Sequence, residues 1–132
     1  MALMKKEKRA AGLVDNPGKA YLEHLCRRGY VVIAPEHFES GNRVPSERPY
    51  ETGRFYEKHR DWTAVGKFTY EHSIAIDVLE TLDFVDTQNI VVLGHSLGGH
   101  GTFFVAAYDE RILVAASNCS ASFFRHNPGV QS

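Results

Sequence analysis

Asn89-Ile90-Val91-Val92-Leu93-Gly94-His95-Ser96-Leu97-Gly98-Gly99-His100-Gly101 is the stretch that decides the fold. Ile90 to Leu93 is an unbroken apolar run, the pattern of a strand covered on both faces. A glycine-rich turn follows. Thr102, Phe103, Val105, Ala106 and Ala107 then carry a helix to about Tyr108. Gly94-His95-Ser96-Leu97-Gly98 matches G-x-S-x-G, a motif that requires a buried strand before it and a helix after it. A serine on so tight a junction takes strained dihedrals, and the flanking glycines leave room where side chains would clash. The turn lifts the hydroxyl clear of the sheet, and the helix N-terminus presents backbone N–H groups where an oxyanion would form. The blander alternative is an ordinary glycine-rich turn closing a strand–helix unit.

Upstream, helical spacing places a helix near Thr69 to Leu82, with Ile74, Val78 and Leu82 in one stripe beside Ala75 and Leu79. Before it, residues 36–66 show no period but hold prolines, glycines, charges and scattered aromatics. A segment of that length in a compact domain reads as a long loop or lid. Tyr30 to Ala34 is a second strand-like run, preceded by a helix that Asn16 caps, Pro17 starts and Gly29 ends. Downstream, Asp109-Glu110-Arg111 ends the helix, Ile112 to Ala116 is a third strand, and Asn118 to Ser132 reads as loop. Helices alternate with strands throughout. That order means parallel strands joined by right-handed crossovers, an α/β layered fold in one domain spanning 1–132.

Fifteen Lys and Arg against sixteen Asp and Glu leave a net charge of -1 over 132 residues. So balanced a surface gives nucleic acid no electrostatic footing. Two cysteines, Cys26 and Cys119, are too few for a disulfide scaffold. No apolar run approaches the roughly 20 residues that span a bilayer. The charged start is followed by too short an apolar segment for a signal peptide, so the expected location is cytoplasmic.

Several segments resemble the α/β-hydrolases, and within them the dienelactone-hydrolase and acetyl-xylan-esterase-like group. Arg28 to Glu36 resembles that group's strand ending in Pro and an acidic residue, with Glu36 where Asp is more usual. Ala75 to Leu82 through Val85-Asp86 is similar to its helix before the nucleophile strand. Gly94 to Gly101, followed by Ala106 to Ile112, resembles its nucleophile helix and the strand beyond. The resemblance covers roughly residues 17–128. It implies a three-layer core with a mainly parallel sheet, of which about three strands are recognisable here. It also implies that the parts of the fold before and after this stretch are missing, a truncated core. A homodimer that completes the open sheet is one expected consequence.

The resemblance makes Ser96 the nucleophile of a serine hydrolase of carboxylic esters, acting on a small-molecule ester without metal or other cofactor. The Leu97 N–H is the expected oxyanion donor. The family's acid and histidine have no matching positions. His126 is then the candidate base, with Asp109 or Glu36 to orient it, while His100 is a weaker candidate on the nucleophile's own helix. His95 and His37 are read as substrate-binding, and His24, His59 and His72 as surface residues. Cys26 reads as core, and Cys119 has no cationic neighbour to activate it. Glu36, His37 and His95 match no zinc spacing. The alternative function is a catalytically inert or weakly active hydrolase-like module that binds or acts as scaffold.

Overall fold

A computed structural model describes residues 21–38, 43 and 52–120. Helix α1 (Tyr21–Cys26) is the described part of the first expected helix, whose capping residues Asn16 and Pro17 lie outside the described residues. It ends as the sequence predicts: the chain turns back on the Leu25 and Cys26 carbonyls, and Gly29 takes φ 91°, which a side chain would resist. Leu22 is buried, but Cys26 is exposed and not in the core, a correction to its reading.

Tyr30–Ala34 is apolar enough for a strand but is not one. It joins no ladder, and a cavity of about 340 Å³ separates it from the central strand. Tyr30 to Pro35 line one side of that cavity, Ile90 to Gly94 the other, with Leu22, Ala75, Ile76 and Val105 between. A strand is defined by its hydrogen-bonded neighbour, and this run has no such neighbour among the described residues.

The segment read as loop contains a short helix, α2 (Gly53–Lys58). Phe55 anchors it: its ring lies 5.3 Å from Phe38, which in turn lies 4.7 Å from Phe68. Trp62 and Tyr70 meet edge-to-face with centroids 5.8 Å apart. Helix α3 (Ala64–Glu80) begins five residues earlier than the spacing predicts. Capping explains the difference, since Thr63 Oγ1 accepts from the Gly66 N–H at 2.9 Å and the Tyr56 hydroxyl from the Ala64 N–H at 3.1 Å. Its buried residues are Ala75 and Ile76, while Ile74 and Val78 of the expected stripe are exposed.

Strand β1 (Ile90–His95), helix α4 (Leu97–Tyr108) and strand β2 (Ile112–Asn118) follow the expected order. The strands pair in parallel from Ile90↔Ile112 to His95↔Asn118, with a register shift between Ile90 and Val91. Helix α4 lies across both strands and α3 packs along α4. The described sheet therefore has two strands rather than three. Its helix layer covers one face only: Ile90 and Gly94 are buried, while Val91, Leu93 and Val114 are exposed. The α/β parallel arrangement holds, and the third layer does not occur among the described residues.

One guanidinium ties β2 to α3. Arg111 donates to Asp109 from Nε at 2.8 Å and Nη2 at 2.7 Å, and from Nη1 to Asp77 at 2.6 Å and Glu80 at 2.7 Å. The segment that ends the helix is thus a clasp between residues 31 and 34 positions apart. The Asp109 side chain is only 7% exposed, and the Arg111 hydrogen bonds, outweighing burial, bring its carboxyl from 3.8 down to about 2. A depressed carboxylate stabilises the fold above its unfolded value and loses that contribution as pH falls through the folded one. Asp109→Asn is therefore expected to lower stability near neutral pH by about 1–2 kcal/mol. It should also shrink the loss between about pH 4 and pH 2. Urea unfolding midpoints against pH check both effects; parallel curves for the two proteins would refute them.

Candidate active site

Ser96 stands between β1 and α4 with φ 54° and ψ -119°, a region that side chains rarely enter. Strain of this kind costs about 1–3 kcal/mol and persists only where surrounding bonds impose it. Here they do. The Ser96 N–H donates to the Asn118 carbonyl at 2.9 Å, extending the β1–β2 ladder by one rung. Its own carbonyl accepts from the His100 N–H at 2.9 Å, the first bond of α4. A single residue is thus the last of the ladder and the cap of the helix.

The glycines around it are not equivalent. A Cβ on Gly94 would overlap the Gly98 carbonyl group, so strand and helix approach too closely for any side chain. A Cβ on Gly99 would stand 2.7 Å from the Asn118 carbonyl oxygen and 2.5 Å from Ser120 Oγ. Gly98, the last glycine of the motif, would meet nothing within 4 Å. Steric need therefore falls on Gly94 and Gly99. Ser117 adds a tie here, its hydroxyl donating to the Gly99 carbonyl at 3.0 Å and touching the Ser120 hydroxyl.

Ser96 is exposed and lines two clefts. The first, of about 540 Å³, is also lined by Glu36, His37, Phe68, Glu71, His72, His95 and Leu97. The second, of about 430 Å³, shares His37, Phe68, Ser96 and Leu97 and adds Phe38, Thr52 and Ala64. Ser96, Leu97, His95 and His37 are thus brought to one place. His126 lies outside the described residues. The His100 ring lies 5.0 Å from that of Phe104 and lines neither cleft, in keeping with a packing role.

His37 is held by its neighbours. Its Nδ1–H donates to the Phe38 carbonyl at 2.7 Å, and its ring lies 3.6 Å from that of Phe68. Burial lowers its pKa, an effect the Phe38 bond opposes in part, which favours the neutral ring. Glu71 is gripped from two sides. Arg43 reaches both of its oxygens, at 2.9 and 2.6 Å, and Lys67 Nζ lies 2.9 Å away. Burial pushes that carboxyl up, but the Arg43 and Lys67 bonds prevail and hold it below the usual range. Arg43 also donates to the Glu36 carbonyl at 2.7 Å, which fastens the segment before it to α3.

His72 is the residue that sequence reasoning missed. Read as a surface side chain, it is half-buried and lines both the Ser96 cleft and the cavity beside β1. A signal was present: Phe68, Glu71 and His72 recur at helical spacing and share a face. Its exposure depends on which neighbours that face meets, and spacing alone does not give them. Among the described residues no group of three His, Cys, Asp or Glu side chains could hold a metal ion. Nor is any described helix long and apolar enough to cross a membrane.

Comparison with known proteins brings these features together. The family model described as "Glucuronyl esterase, fungi" matches residues 21–123. "Carbohydrate esterase MZ0003", from an unknown prokaryotic organism, is 30% identical over 110 residues, covering 78% of this chain and 25% of its own. The Bacillus subtilis (strain 168) protein named "Putative hydrolase YtaP" is 28% identical over 102 residues, covering 76% of this chain and 33% of its own. The chain spans about a quarter of the first relative's length and a third of the second's. No solved structure gives a significant match.

The glycine contacts yield a paired expectation. Gly94→Ala forces backbone apart at the junction and should cost about 3 kcal/mol or more. Gly98→Ala gains helix propensity without a clash, so it should be neutral or stabilising by up to about 1 kcal/mol. Chemical denaturation of the two variants decides it, and equal losses in both would refute the steric account.

Proposed function

The chain belongs to the glucuronyl esterase family, and from that premise we propose that it is a serine hydrolase of carboxylic esters acting on carbohydrate-derived substrates. Ser96 is the nucleophile. Its hydroxyl oxygen attacks the acyl carbon, the alcohol leaves with a proton, and water then hydrolyses the acyl-enzyme to release the acid. The Leu97 N–H, at the positive end of α4, holds the oxyanion. His37 and His95 form walls of the substrate cleft, and His126 is the base that takes the serine proton.

One observation carries this reading: Ser96 is exposed, strained at φ 54°, and set where a strand meets a helix beside two clefts. A buried strand-to-helix turn with relaxed dihedrals has no use for such a conformation. Reactive serines do, because the distortion keeps the hydroxyl in front of the helix N-terminus. The names of the relatives supply the substrate chemistry, carbohydrate esters.

A fluorophosphonate probe tests it. The folded chain should be labelled, Ser96→Ala should abolish the label, and His126→Ala should slow it by about 100-fold or more. A folded chain that takes no label would leave the inert binding module as the correct reading. Labelling that survives Ser96→Ala would place the nucleophile elsewhere.

A further inference from the structure

Phe68, Glu71 and His72 occupy one face of α3 and line the Ser96 cleft together. Each is fixed before any ligand arrives. Arg43 and Lys67, which hold the two Glu71 oxygens, do not themselves line the cleft, whereas Glu71 does. The His72 Nδ1–H donates to the Phe68 carbonyl at 2.6 Å, which in the neutral ring leaves Nε2 as the acceptor nitrogen. The ring is seated where α4 lacks a side chain: a Cβ on Gly101 would stand 3.1 Å from His72 Cε1 and 3.4 Å from its Nε2. Two neighbouring residues that carry acceptors therefore line one cleft, with Phe68 one helical turn away.

We propose that Glu71 and His72 form a hydroxyl-binding subsite of the Ser96 cleft, taking the uncharged polyhydroxy ring of the substrate. This assignment rests on the ester-hydrolase reading and adds to it which residues recognise the sugar. The chemistry follows from the donor–acceptor inventory. A carboxylate and an imine nitrogen accept hydrogen bonds, so they pair with hydroxyl donors. A hydrogen bond to an ionised group contributes more than a neutral one, and both acceptors are oriented in advance by Arg43, Lys67 and the Phe68 carbonyl. The aromatic face of Phe68 suits the C–H face that a pyranose presents beside its hydroxyls. An apolar ring of the same size offers nothing to either acceptor and leaves both desolvated.

The test separates sugar binding from catalysis. The Ser96→Ala chain, which cannot turn over, is titrated with methyl α-D-glucopyranoside and with methoxycyclohexane, its ring without hydroxyls, followed by saturation-transfer NMR. The glycoside should bind at least about fivefold more tightly than the ether. Glu71→Gln should weaken glycoside binding about five- to tenfold. His72→Phe keeps the ring against Gly101 but loses the acceptor, and should weaken it about fivefold; His72→Gln, which carries an acceptor of similar reach, should recover most of the loss. Equal glycoside affinity in all four chains, no preference over the ether, or His72→Gln as weak as His72→Phe would each overturn the subsite. Fluorophosphonate labelling of the parent chain is scored alongside. Label without sugar discrimination refutes the subsite and leaves the hydrolase reading intact; sugar discrimination without label does the reverse.

Discussion

Gly94 and the Gly98–Gly99 peptide share a space that one methyl group would fill, and the rest of the site depends on that close approach. It lets β1 become α4 across a single residue. The residue at the junction has no relaxed conformation available and takes φ 54°. The strain is held in place by the hydrogen bond to Asn118, which belongs to the neighbouring strand. Strand pairing, helix start and side-chain presentation are thus one event. Any change that lengthens the turn would relax Ser96 and separate it from the clefts it now lines.

Helix α3 holds this junction from the side. Near its N-terminal half, Glu71 binds Arg43 and Lys67. Near its C-terminal end, Asp77 and Glu80 bind Arg111 at the root of β2. Exposed ion pairs contribute little singly, about 0–1 kcal/mol. Here the value lies in geometry: Asp109 is nearly enclosed, and the guanidinium spans three carboxylates that belong to two separate parts of the chain. The same helix that receives these ties carries Phe68, Glu71 and His72 to the cleft. Recognition and mechanical support therefore share one element.

The aromatic contacts serve the same wall. The rings touch in the order His37, Phe68, Phe38, Phe55, joining the segment before residue 39, the short helix α2 and the long helix α3. Burial among them lowers the His37 pKa and so favours its neutral form. On the far side of His72, the cavity beside β1 is bounded by Tyr30–Pro35, which has strand composition but joins no ladder among the described residues. Composition describes a residue's preference for a surface, whereas a ladder is a relation between two backbones.

Ile90 to Tyr108 could be read directly from the sequence, because an apolar run, a glycine-rich turn and a helical period specify local conformation without reference to distant residues. The same is true of Gly29, whose left-handed backbone follows from its place after a helix. That Ser96, Leu97, His95 and His37 come to one cleft was legible for a related reason: three are contiguous, and the fourth follows an apolar run that ends at the same edge. The presence of His72 and Glu71 in the same cleft was not, since it depends on what their helix face packs against. Nor could any periodicity show that Ile74 and Val78 stay exposed or that Tyr30–Ala34 stands apart from β1. Local dihedral preference is written residue by residue along the chain, and sequence alone determined it. Which surfaces meet depends on contacts between residues tens of positions apart, and only the tertiary structure decided that.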